Sequence, residues 1–185
     1  MSRLASVMMI ALLLMPLAST AGSAVPVETP GVSTGSAGSH ALPSILVADV
    51  ELVDLAPPGD RYDEAEDAAR ATMLSQRIRS SVVSSKHYRV INRGEADRKP
   101  PHSYSNCTAC FMDWARQRGA DFVLVTSVQK ESRLILAVNM ALIDVAHPDK
   151  AAGGGSVELR GDTDETWLAG SRLMLDHALG VPLKP

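Results

Sequence analysis

With 185 residues, 45% of them apolar and 21% charged, the chain has the material for one domain with a real core. Its net charge of −3 argues against nucleic acid, whose binders usually carry a basic face, so no nucleic acid is expected as a partner. Two cysteines are too few for a disulfide scaffold, and their meaning depends on the compartment.

The first segment points to that compartment. Arg3 precedes an apolar run from Val7 to Leu17, followed by small residues that offer cleavage after Ala21 or Ala24, the pattern of a secretory signal peptide. The run is too short to span a bilayer comfortably, no later stretch reaches the roughly 20 apolar residues of a membrane helix, and no cysteine follows the run to carry a lipid. We expect residues 1–24 to be removed and the mature protein to be periplasmic, with no stable membrane insertion. Cleavage after Ala24 leaves 185 − 24 = 161 residues with a charge of 17 − 21 = −4. Residues 25–43 are rich in Pro, Gly, Ser and Thr without apolar periodicity, so they read as a flexible linker. A single domain is expected over 44–182.

Ile45 to Asp54 is a β-branched, apolar run bounded by Pro43 and the Pro57-Pro58-Gly59 turn, and reads as a buried strand. Ala71, Leu74, Ile78 and Val82 then recur at helical spacing after an acidic start from Asp60 to Asp67, which suits a helix dipole. His87–Arg93 is a second strand. A long polar loop follows, and Asn106 is placed to cap a helix that begins at Cys107, buries Phe111, Trp114 and Ala115, and stops at Gly119. Residues 120–130 form a third strand. Residues 133–145 form a fourth, with Leu134, Leu136, Val138, Met140 and Leu142 on one face, joined to the third by a hairpin. A flexible stretch including Gly153-Gly154-Gly155 leads to a fifth strand at 157–161. A last helix runs from about Thr163 to Leu179, stopped by Gly180 and Pro182.

Right-handed crossovers after the first two strands give an α/β fold with a mixed five-stranded sheet, order 2-1-3-4-5. Strands 1–3 are parallel, 4–5 antiparallel, and three helices pack on the sheet.

The series "ILVADVELVD", "YRVIN", "CTAC", "RGADFVLVTSVQKES", "LILAVNMALIDV" and "VELRGDTDETW" resembles an uncharacterised family of exported bacterial proteins, a domain of unknown function, over Ser44 to about Leu179. In that family Asn is more frequent where Asp162 stands. The strand order and the Gly-Ala-Asp strand more loosely resemble the amino-terminal domain of the translocation protein TolB. These resemblances imply an envelope-facing interaction domain and name no reaction.

Cys107 and Cys110, one helical turn apart, read first as a structural disulfide in an exported protein. A thiol-disulfide centre is the alternative, since a helix amino terminus lowers a thiol pKa. Against it, no aromatic residue precedes the pair and no proline stands before Val123 or Leu134 to form a cis-Pro loop. Metal or cofactor contact comes third: haem attachment would need His where Phe111 stands, and zinc would need two more ligands. In "RGDTDETW", Asp162 or Thr163 can cap the last helix with support from Glu165, and Trp167 can pack as core. The sharper reading turns Arg160, Asp164 and Trp167 toward a partner. Asp54, Lys130 and Asp144 close strands and would ordinarily face solvent. Asp49 interrupts an apolar strand and needs either exposure or a partner.

Topology would gather Asp54, the Cys107–Cys110 loop, Lys130 and Arg160 to Trp167 at one carboxyl edge of the sheet, where open α/β sheets tend to bind ligands. The candidate binding edge is therefore Asp54, Lys130, Arg160, Asp162, Asp164 and Trp167. No nucleophile elbow, phosphate loop, zinc helix or dinucleotide fingerprint occurs, so we expect no metal and no cofactor. The leading expectation is a non-catalytic periplasmic adaptor with an envelope protein as partner. A thiol-disulfide protein and a small-ligand binder at the same edge are the alternatives.

Overall fold

The computed structural model describes residues 41–56, 64–91, 100, 102–132 and 134–180. The expected signal peptide, nearly all of the linker, the Pro57-Pro58-Gly59 turn and much of the loop before Asn106 lie outside the described residues.

The expected first strand is two segments, β1 (Ser44–Val47) and β2 (Glu51–Asp54). The break falls at Asp49, whose half-exposed side chain meets Arg79 at 3.3 Å. It is held open from α1 (Glu64–Ser85), where the Ser75 hydroxyl accepts the Val50 amide at 2.9 Å. The chain continues through β3 (Arg89–Val90), shorter than expected, then α2 (Thr108–Gln117), β4 (Phe122–Lys130), β5 (Ile135–Asp144), β6 (Ala151–Arg160) and α3 (Asp164–Leu179).

The sheet order is β3-β1-β4-β5-β6, with β2 also paired to β4. β1 lies parallel to β3 and β4, β2 is parallel to β4, and β4, β5 and β6 are antiparallel. This is the expected mixed sheet, its first strand carried on by β2.

Period-2 alternation builds two cores on opposite faces. Ile45, Val47, Leu124, Val128, Leu136, Val138, Met140 and Leu142 meet Leu74, Ile78 and Val82 of α1 and Trp167, Met174 and Leu175 of α3. Leu46, Ala48, Val123 and Ile143 meet Phe111, Met112, Trp114 and Ala115 of α2 on the other side. Leu134, expected on the buried face of the fourth strand, precedes β5 in the hairpin turn and is exposed.

The Gly-Ala-Asp motif ties α2 to the start of the sheet. Gly119 takes a φ of +67°, a left-handed value that lets the chain turn out of α2. Asp121 then accepts the Ser44 amide and hydroxyl, both at 2.7 Å, and the Ser44 hydroxyl also lies 2.7 Å from the Gly119 carbonyl. These bonds hold the Asp121 carboxyl below its ordinary value, the backbone bond from Ser44 contributing most.

Two other expectations are corrected. The glycine run is no flexible connector, since β6 begins at Ala151 and pairs with β5 along its length. Packing explains the composition: a Cβ on Gly153 would lie 2.4 Å from the Ala178 carbonyl oxygen of α3. The cap of α2 is Cys107 rather than Asn106, its Sγ accepting the Cys110 amide at 3.2 Å.

Candidate functional site

Part of the carboxyl edge forms one charged network, anchored by a lysine that sequence alone places in solvent. Lys130 ends β4 on the α1–α3 face and is 0% exposed. Its Nζ donates to Asp67 Oδ1 at 2.8 Å, Asp67 Oδ2 at 2.7 Å and Asp162 Oδ2 at 2.5 Å. Three carboxylate oxygens thus converge on this one nitrogen.

Asp162, in the turn between β6 and α3, spends its other oxygen on Trp167 Nε1 at 2.9 Å. Trp167 is 0% exposed, so it packs beneath α3 and does not face solvent. Arg70 of α1 completes the network. It donates through Nε to Asp164 at 2.9 Å, lies 3.4 Å from Asp162 and 3.5 Å from Asp67, and is paired through Nη2 with Glu66. Burial works against the Arg70 charge, but the Asp164 hydrogen bond and the surrounding carboxylates outweigh it and raise its pKa. Thr163 caps α3 by accepting the Thr166 amide at 3.3 Å, with the Thr166 hydroxyl where Glu165 support was expected.

The other candidates sit apart from this network. Asp54 is in register with Lys130 on adjacent strands, yet its side chain is exposed and accepts the Ala56 amide at 2.9 Å. Arg160 is exposed at the end of β6. Cys107 and Cys110 form a disulfide with an S–S distance of 2.03 Å at the amino terminus of α2, which packs on the opposite face from α1 and α3. The expected convergence therefore gathers Lys130, Asp162, Asp164 and Trp167 but leaves the cysteines on the other side of the sheet.

Two participants in the network, and one anchor of the disulfide segment, were missed. Asp67 was read as a dipole carboxylate, although its spacing with Ala71, Leu74, Ile78 and Val82 puts it on the buried stripe of α1. Arg70 follows one turn later. Glu51 of β2 accepts the Tyr104 amide at 2.6 Å and the Ser105 amide at 3.2 Å, fixing the segment that leads into the disulfide.

Two leucines at this end are exposed. Leu55, whose amide donates to the Lys130 carbonyl at 2.8 Å, is 57% accessible, and Leu134 is 69% accessible. A groove lined by Gln76, Arg79, Ser80, Val83 and Ser84 runs along α1 and includes no residue of the carboxyl edge. No helix among the described residues is long and apolar enough to cross a membrane.

A family model described as "Protein of unknown function (DUF2380)" matches residues 43–179. No curated protein matches the sequence. Among solved structures, the LpoB C-terminal domain from Salmonella enterica is similar at 16% identity and a TM-score of 0.44, covering 69% of this chain and 88% of that one. The PelC dodecamer from Paraburkholderia phytofirmans is similar at 16% identity and 0.43, covering 72% and 82%. TolB from Acinetobacter baumannii is similar at 11% identity and 0.43, covering 72% of this chain and 26% of that one. The chain belongs to the family of the matching model.

Proposed function

We propose that this member of the family is an exported, non-catalytic accessory protein of the bacterial envelope that docks a protein partner at the carboxyl end of its sheet. The observation that carries the reading is the exposure of Leu55 and Leu134 on either side of the buried Lys130 cluster. Exposed leucines on a rigid base offer apolar area that a partner can cover at little ordering cost. Around them stand exposed carboxylates: Asp54, Glu66 and Asp164. The matching partner surface is apolar with basic residues at its rim. Photo-crosslinking from positions 55 and 134 in the envelope tests this. One partner should be trapped from both sites, and it should be lost from Leu55→Asp and Leu134→Asp variants that fold normally. Failure to trap a common partner overturns the reading.

A second reading uses Cys107 and Cys110 as a thiol-disulfide centre, favoured by their partly buried position at a helix amino terminus, which still reaches solvent. Measuring the reduction potential separates the two. A value near about −200 mV supports redox work, and one below about −300 mV supports a structural bridge.

A further inference from the structure

β6 closes the sheet, and among the described residues no strand pairs with its outer side. The Gly161 amide donates to the Leu134 carbonyl at 2.9 Å, which fixes the hydrogen-bond alternation of this antiparallel ladder. Val157 and Leu159 turn their backbone groups inward to β5, while Glu158 and Arg160 turn theirs outward. Val157 and Leu159 also send their side chains into the α1–α3 core. Glu158 and Arg160 therefore project from the other face, and both are exposed. The first half of β6 is poorly suited to further pairing, because the register shifts opposite Leu142 and Ile143 and Gly154 has a φ of +135°. The regular edge is the carboxyl half.

Opposite charges two residues apart on such an edge are complementary to themselves. A second copy rotated by a half turn about Leu159 brings Glu158 of each chain opposite Arg160 of the other. Both pairs fall where backbone N–H and C=O groups already point across the junction, so ion pairing and ladder formation reinforce each other. The two adjacent registers that keep the faces matched set Glu158 or Arg160 against itself, which like charges disfavour.

We propose that β6 pairs antiparallel with β6 of a second copy, giving a two-fold dimer in which two sheets run into one, held by reciprocal Glu158–Arg160 pairs about Leu159. The dimer is independent of the partner proposed above. An extended segment of another protein is the competing occupant of the same edge.

The test is sedimentation equilibrium on the processed protein purified from the periplasm, with hydrogen exchange at the β6 amides. The wild type should show a reversible monomer–dimer equilibrium that salt weakens. Glu158→Arg and Arg160→Glu should each weaken it ~10-fold or more, since each exchanges two attractions for two repulsions. The double reversal should restore it to within about threefold, and the Glu158 and Arg160 amides should gain protection as concentration rises. At concentrations where every protein is monomeric, all variants should melt as the wild type does, because both side chains are exposed. A wild type that stays monomeric, a dimer indifferent to single reversals, or a double variant as weak as the singles overturns the proposal. So does a wild type that binds a foreign extended peptide along β6 without self-association, which would assign the edge to that occupant.

Discussion

Asp67 holds Lys130 with both carboxylate oxygens, at 2.8 and 2.7 Å, across 63 residues of sequence. The contact joins the first turn of α1 to the end of β4, and Asp162 extends it to the start of α3. Three elements are thus fixed where the sheet ends. Removing one partner leaves buried charge compensated only in part, Asp67 by Arg70 or Lys130 by Asp162, which costs up to about 3–5 kcal/mol. Lys130→Met and Asp67→Leu should each lower unfolding free energy by about that much in urea titrations. The double variant should lose much less than the sum, because the uncompensated charge disappears with its partner. Additive losses would show that the two residues act separately.

The Asp121 latch is expected to be pH-dependent. Its folded-state pKa lies below the ordinary 3.8, chiefly through the Ser44 backbone bond. A depressed carboxylate stabilises the fold fully above its unfolded value and loses that contribution as pH falls through the folded value. Wild type should exceed Asp121→Asn by roughly 1 kcal/mol near neutrality, a modest figure because the carboxyl is largely solvated. The gap should close as the pH is lowered below 3.8. An equal gap at acid and neutral pH would refute a charge-based latch.

The disulfide closes so short a loop that its effect on the unfolded chain is small, about 2 kcal/mol at most. Reduction should act locally. Amides at Thr108 to Phe111 should exchange faster once Cys107 is no longer held as the cap of α2. The Trp114 environment, part of the α2 core, should not change by near-UV circular dichroism or fluorescence. Global unfolding on reduction would contradict this.

Much of the fold is legible in the sequence because burial alternates along β4 and β5 and recurs at helical spacing along α1 and α3. Those periods survive any detail of packing. Lys130 is not legible, because a lysine at a strand end is ordinarily solvated and its partners lie on two distant elements. Asp67 carried a usable signal in its place on the buried stripe of α1. The Gly153–Gly155 run misleads for a related reason. Its composition suggests a linker, whereas the need for small residues comes from α3 and β5, which approach from far along the chain.

That need makes a graded prediction at three neighbouring glycines. A Cβ on Gly153 would sit 2.4 Å from the Ala178 carbonyl oxygen, and one on Gly154 would sit 2.2 Å from the Met140 carbonyl oxygen with the added strain of a φ of +135°. In both cases the obstacle is backbone and cannot rotate away. On Gly155 the nearest atom is Met174 Sδ at 3.8 Å, an ordinary contact with a flexible side chain. Gly153→Ala should therefore cost about 1–3 kcal/mol and Gly154→Ala at least as much. Gly155→Ala should be neutral or slightly stabilising, because the substitution restricts the unfolded chain without a clash. Denaturation midpoints of the three variants check the order. Equal tolerance at all three would mean that the run is the loose connector its composition suggests and that α3 does not pack down onto β6.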